Sequence, residues 1–270
     1  VKEIKGDFSS FSAVELVDQN PIGKSSRSNP VTYVKAYDAI RELFSTMPIA
    51  KQRGFKTKHF SFNVDGGRCD NCQGEGEEVV EMQFMADLHL TCEECNGKKF
   101  KEEVLEVEFK QKSIYDVLNL TVEEAVDFFR GQKTIVNKLL PLQEVGLGYV
   151  KLGQSSNSLS GGEAQRIKLA TFLGKSQNKD KVLFIFDEPT TGLHFHDIKK
   201  LLKSFNALID KGHSVVVIEH NLDVVKCADW VIDLGPEGGD RGGELMFAGT
   251  PEDLAKSKKS VTGQFLKEKM

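Results

Sequence analysis

Three rhythms of apolar and polar residues run along the chain. The apolar run from Ala13 to Asp18 reads as a strand that ends in a turn-rich stretch, Asn20 to Pro30. Tyr33, Tyr37, Ile40 and Phe44 recur at helical spacing, which predicts a helix from Val31 to Phe44 with Pro48 closing it. Val79, Glu81, Gln83 and Met85 alternate with Val80, Met82 and Phe84, the two-residue period of a hairpin. Residues 103–109 suggest another strand. Thr121 with Glu124 forms a capping box that opens a helix ending near Arg130 and Gly131. After Gly153 short apolar runs, Val182 to Phe186, Val215 to Ile218 and Trp230 to Leu234, alternate with helical stretches. That alternation predicts an α/β architecture around a mainly parallel sheet buried on both faces.

The chain has 270 residues, 39% of them hydrophobic and 28% charged, enough for one large domain or two ordinary ones and unlike a disordered or fibrous sequence. No apolar run approaches the roughly 18 residues that a membrane-spanning helix needs. The N-terminus lacks both Met and a secretory signal, and is expected to be a cut within a longer protein. A net charge of -4 argues against coating nucleic acid by global positive charge and leaves room for a local patch. The basic stretch Lys51 to Phe60 offers one, with Lys51, Arg53, Lys56 and Lys58 as candidate DNA contacts interleaved with Phe55 and Phe60. The same stretch also fits an ordinary solvated surface.

Four of the five cysteines form two Cys-x-x-Cys pairs, Cys69/Cys72 and Cys92/Cys95, separated by 19 residues. This is the spacing of a tetrahedral zinc site in a reducing cytosol, and four thiolates would fill the shell of a structural ion. Unrelated thiols or a redox pair are the alternatives. Gly74 and Gly97 follow the pairs and allow the backbone to tighten there. Cys227 is expected to be buried.

A second constellation concerns nucleotide. Ser160, Gly161, Gly162 and Glu163 stand at the start of a predicted helix, where a hydroxyl and backbone N–H groups can face an anion or simply cap the helix. The strand from Val182 ends in Asp187 and Glu188, an acid pair suited to holding Mg²⁺ through water and polarising an attacking water. The strand from Val215 ends in Glu219 and His220, on the sheet edge where ligands bind in such folds.

In this order the motifs resemble the ABC ATPases: Leu159 to Arg166 the signature, Asp187-Glu188 the Walker B end, Thr191 to His194 the D-loop and His220 the switch histidine. Gln19 to Gly23, Arg27 to Pro30, Phe60 to Asn63, Gly66 to Cys69 and Leu193 to Asp197 are similar to the UvrA family, the A subunits of the bacterial excinuclease ABC. The resemblance implies an ABC-type ATPase (P-loop NTPase-like) fold with a helical signature subdomain and an inserted zinc-binding module. It implies a division into residues 1–47 as the first piece of the ATPase domain, 48–150 as the signature subdomain carrying the zinc module at 69–95, and 151–270 as the ATPase core.

By the same resemblance Gln19 is the Q-loop glutamine and, with Asp187, a Mg²⁺ contact. Ser160 to Glu163 complete the nucleotide site of a second module, and Glu188 and His220 are catalytic. ATP with Mg²⁺ and Zn²⁺ are the implied cofactors. Damaged double-stranded DNA, UvrB, UvrC downstream and a second copy in a homodimer are the implied partners, in the cytoplasm and without a membrane. The 141 residues from Gln19 to Ser160 accommodate the cysteine module, which an ABC transporter ATPase would not need. Gly23-Lys24-Ser25 lacks the first glycine of a phosphate loop, since Asp18 stands there. The true loop is therefore expected upstream, and this piece alone is expected to be inactive. Two rival readings remain: a zinc-stabilised DNA- or protein-binding module, and an ABC ATPase of transport or translation. The motif-bearing pieces are expected to meet at one sheet edge.

Overall fold

The computed structural model describes residues 10–23, 25, 27–80, 82, 87–174, 181–237 and 242–270, excluding the side chain of His196. Lys24, Glu81 and Gln83 to Ala86 at the middle of the predicted hairpin, and the first nine residues lie outside the described set. The described residues form two compact units, one made of the chain up to Val17 together with Lys181 onward, the other running from Asp18 to Gly174.

Strand β1 (Ala13–Val17) belongs to the first unit and leads into the second. There the predicted first helix is two, α1 (Pro30–Tyr33) and α2 (Ala36–Ser45), because Lys35 between them adopts a left-handed φ of 58°. Tyr37, Ile40 and Phe44 still share the buried face of α2. Pro48 does not close that helix but starts α3 (Pro48–Gln52), since its missing N–H costs nothing in a first turn. Tyr37 donates through Oη to the Phe60 carbonyl at 2.7 Å, tying α2 to the 3-10 turn Thr57–Phe60.

The hairpin is present as β2 (Glu77–Val80) against β3 (Leu88–Thr91), with Val80 opposite Leu88. The strand expected over 103–109 is helix in its first three residues and strand only in its last two. Helix α4 (Glu102–Leu105) precedes a two-residue strand β4 (Glu108–Phe109) that pairs with β5 (Lys112–Ser113). Val104 and Val107, three apart, are both buried, and Glu102 and Glu103 sit in the first turn where acids are favoured. The apolar positions in this stretch therefore fit one helical turn. Helix α5 (Ile114–Asn119) is followed by α6 (Val122–Phe128), which begins at the expected capping box, with Thr121 Oγ1 accepting from Glu124 N at 3.2 Å. Helices α7 (Lys133–Glu144) and α8 (Gly161–Leu173) complete this unit, whose core includes Phe44, Phe62, Phe100, Leu139 and Ile167.

In the first unit β6 (Val182–Asp187) lies between β1 and β7 (Ser214–Ile218), all parallel. Phe184 and Phe186 point to one face, where Ile198, Leu201, Phe205 and Leu208 of α9 (Phe195–Asp210) are buried and the Phe186 and Phe205 rings lie 4.7 Å apart. The other face departs from expectation. Val14, Leu16, Val216 and Ile218 are 47–62% exposed, so among the described residues the sheet is buried on one side only.

Helix α10 (Leu222–Val225) follows β7, and Cys227 in the turn beyond it is exposed rather than buried. The predicted third parallel run is β8 (Val231–Gly235), which pairs antiparallel with β9 (Glu244–Gly249) instead of joining the parallel sheet. A partner strand so close in sequence is the nearer solution for its backbone hydrogen bonds. Helices α11 (Pro251–Leu254) and α12 (Val261–Lys267) end the chain.

Candidate metal and nucleotide sites

The four cysteines of the second unit meet. Cys69, Cys72, Cys92 and Cys95 are buried with their Sγ atoms all within 4.8 Å of one another. The two knuckles share one backbone device: Gln73 (φ 52°) and Gly74 (φ 84°) follow one pair, Asn96 (φ 49°) and Gly97 (φ 77°) the other. Two successive left-handed residues turn each pair back on itself, as the glycines predicted. Sulfur separations of 4.0 Å (Cys69 to Cys92) and 3.6 Å (Cys72 to Cys95) bracket the edge of a zinc–sulfur tetrahedron. That edge is about 3.8 Å for a zinc–sulfur bond of about 2.3 Å.

Asn71 Nδ2 donates to Cys92 Sγ at 3.4 Å and Gly76 N to Cys72 Sγ at 3.3 Å, fixing two of the donor sulfurs from outside. Burial pushes the Cys92 thiol up, yet the Cys95 backbone N–H and the Asn71 amide outweigh it and bring it to about 7. Burial drives Cys95 up to about 12 and also raises Cys69. The cluster is therefore a closed set of four soft ligands that fits one tetrahedral ion, with no open position for a reacting group.

The surroundings of this knob are unevenly charged. From Cys69 to Cys95 the sequence has eight acids and no Lys or Arg. The basic stretch just before it is different. Lys51, Lys56 and Lys58 are exposed, whereas Arg53 is ion-paired with Glu106 and donates to the Glu103 carbonyl at 2.8 Å. Phe60 is core, and Phe55 stacks on His59, so neither ring stands out among the basic residues as a stacking platform.

The signature residues open α8 in the same unit. Ser160 is the N-cap, its Oγ accepting from Glu163 N at 3.3 Å, while Glu163 Oε2 accepts from Ser160 N at 2.8 Å. Gly161 faces Gln19, and a Cβ there would stand 3.0 Å from both Cβ and Oε1 of that glutamine. Farther along the helix Lys168 is ion-paired with Asp18 and donates to the Asp18 carbonyl at 3.1 Å. The hydrogen bond from Lys168 holds the Asp18 carboxyl below its usual range. Gly161 thus lies close to Gln19, and Lys168 two turns on holds the neighbouring Asp18.

The acids and the imidazole are brought together in the other unit. Asp187 ends β6, and the next residue, Glu188, takes a left-handed φ of 45° that a side chain disfavours by about 1 kcal/mol. Its backbone N–H donates to the Ile218 carbonyl at 2.9 Å, and its Oε1 lies 3.5 Å from Nε2 of His220. Glu219, to which the sequence assigned no role, accepts from three backbone N–H groups at 2.9 Å each. Thr190 reaches Oε1; His220 and Asn221 reach Oε2. The turn after Glu188 is completed by Thr191 N donating to the Glu188 carbonyl at 3.1 Å and by Gly192 at φ 73°. Acid pair and histidine therefore meet at the carboxyl ends of neighbouring parallel strands, as expected. The serine-glycine turn belongs to the other, helical unit.

No family model matches the chain. Its sequence is 55% identical over 267 residues to UvrABC system protein A of Clostridium perfringens and 54% identical over 268 residues to that of Aquifex aeolicus, each alignment covering 99% of this chain. The chain spans only 28% and 29% of those relatives. Among solved structures, UvrA2 from Deinococcus radiodurans superposes with a TM-score of 0.90 at 45% identity, over 98% of this chain and 32% of that one. The fold is accordingly that of an ABC-type ATPase, and within the segment it spans the chain belongs to the UvrABC system protein A family.

Proposed function

We propose that this chain is the carboxyl-side part of an ATPase that recognises damaged DNA in nucleotide excision repair. The observation that carries the reading is the Glu188–His220 pair beside Asp187 at the ends of two parallel strands. In this reading Asp187 and Gln19 hold Mg²⁺ of a bound ATP, Glu188 orients and polarises the attacking water, and His220 fixes Glu188 and senses the terminal phosphate. ATP supplies the phosphoryl group whose transfer to water drives the cycle. Ser160 to Glu163 present a hydroxyl and helix-start N–H groups to the nucleotide held by a second module, in the same polypeptide or in a second copy.

Cys69, Cys72, Cys92 and Cys95 would hold one Zn²⁺, whose role is to stabilise the hairpin. Phosphate contacts fall to Lys51, Lys56 and Lys58 rather than to the acidic knob, since eight carboxylates repel a polyanion. Recognition of chemically varied lesions then rests on the deformability of the duplex. Damaged duplex and UvrB, which the ATPase cycle would load, are the partners in this reading.

The experiment compares the longer protein with its Glu188→Gln variant. ATP hydrolysis is expected to fall at least about a hundredfold while nucleotide stays bound, the size of effect associated with losing a positioned base. Equal turnover would remove Glu188 from the chemistry. Binding to damaged and intact duplexes across a salt series separates repair from transport or translation; no preference for damage would sink the repair reading.

A further inference from the structure

Tyr149 lies outside every motif, in the loop before α8. That loop is pinned from the backbone: Glu123 N donates to the Gly148 carbonyl at 3.0 Å and Val122 N to the Val150 carbonyl at 2.9 Å, with Leu147 and Val150 buried. From this fixed base Tyr149 sends its Oη to Glu163 Oε1 at 2.7 Å. The other oxygen of the same carboxylate accepts Ser160 N. Both oxygens of Glu163 are thus engaged, one by the first residue of the signature turn and one by a phenol from a separate part of the unit.

Arg166, on the next turn of α8 and only 4% exposed, has Nε and Nη1 without hydrogen-bond partners among the described residues. A buried cation so incompletely matched favours a negative charge on Glu163.

We propose that Tyr149 is a positioning residue of the signature turn: by anchoring Glu163 to the pinned loop, it holds Ser160 and the Gly161 and Gly162 amides in one geometry before nucleotide arrives. The inference rests on reading Ser160 to Glu163 as nucleotide-facing. A capping-box glutamate with one anchor can swing away from its helix; with two it cannot do so without breaking a charge-assisted hydrogen bond. Preorganisation of this kind lowers the cost of binding rather than the barrier to chemistry.

The groups around Glu163 agree. Burial pushes its carboxyl up, but the hydrogen bonds from Tyr149 and Ser160 and the Arg166 charge outweigh that and hold it below the usual range. Burial and then the hydrogen bond to Glu163 raise the Tyr149 phenol, keeping its proton in place as donor.

The test begins with this chain. Carbon-13 titration of Glu163 in Tyr149→Phe should give a higher pKa than in the parent, with the melting midpoint preserved because the ring is retained. An unchanged pKa overturns the proposal. In a Glu163→Gln background, Tyr149→Phe should have no further effect on nucleotide affinity; an undiminished effect overturns it too. In the longer protein, Tyr149→Phe should raise KM for ATP about tenfold with kcat nearly unchanged, the size of one hydrogen bond to a charged group, and should move the acid limb of kcat/KM to higher pH.

Ser160→Ala separates the two layers. If it leaves turnover intact, the nucleotide role of the turn fails and this inference with it. If it cripples turnover while Tyr149→Phe behaves as the parent, only the positioning role fails.

Discussion

Between Cys69 and Cys95 the chain closes on itself, whereas among the described residues the strands β1, β6 and β7 are covered on one side only. In the knob all four cysteines are buried while every residue of β2 and β3 is exposed, so the described residues of the hairpin form no apolar core of their own. Its order must come from the thiolate cluster and the paired left-handed turns. The sheet is the reverse, with a packed aromatic face against α9 and an apolar face in water. Local stability in one region is chemical and short-range in sequence; in the other it is packing, drawn from residues far apart in the chain.

The largest effect expected from this contrast is loss of the metal. Chelation, or Cys92→Ser, should release protection of the Gly76 and Cys92 amides in hydrogen exchange while leaving β6 protected, since coordination contributes on the order of 10 kcal/mol to such small modules. Elemental analysis should find one zinc per chain. Simultaneous exchange of knob and sheet would break the distinction.

Next comes the sheet itself. Phe186→Ala on the packed face should cost about 3–5 kcal/mol in denaturant unfolding. Leu16→Ala on the bare face should stay within about 0.5 kcal/mol, as for other exposed positions. Similar costs at the two sites would mean that the faces are not unequal.

A smaller effect is expected at the strap between Lys168 and Asp18. Lys168→Met should cost less than about 1 kcal/mol, because the Asp18 carboxylate is partly open to solvent and screened. The folded-state pKa of Asp18 is depressed, so its contribution is present above the ordinary carboxylate range and lost as pH falls through the folded value. The stability difference between parent and variant should therefore shrink in acid; a difference that grows there would contradict the pairing.

Much of this was legible in the chain because the signals were local. Two Cys-x-x-Cys pairs followed by glycines specify a knuckle each, and Thr121 with Glu124 specifies a helix start, without reference to anything distant. The acid pair and His220 were found because each ends an apolar run, and parallel strands bring such ends together. What stayed hidden depended on conformation or on contacts across the sequence. The break at Lys35 leaves the apolar spacing of Tyr33 to Phe44 intact, and Val104 with Val107 fits either a strand or one helical turn. The pairing of β8 with β9 competes with a parallel place that looked equally apolar. Tyr149 bonds Glu163 across 14 residues and Lys168 meets Asp18 across 150, and neither pair leaves a mark on local composition.

Glu219 carries one consequence further. Its two oxygens receive N–H groups from Thr190 on one turn and from His220 and Asn221 on another. A shift of either turn must lengthen a bond to this shared acceptor, so the loop beyond Glu188 and the histidine segment are mechanically linked even when no phosphate lies between them. Shortening the linkage with Glu219→Asp would uncouple the two turns while preserving the charge.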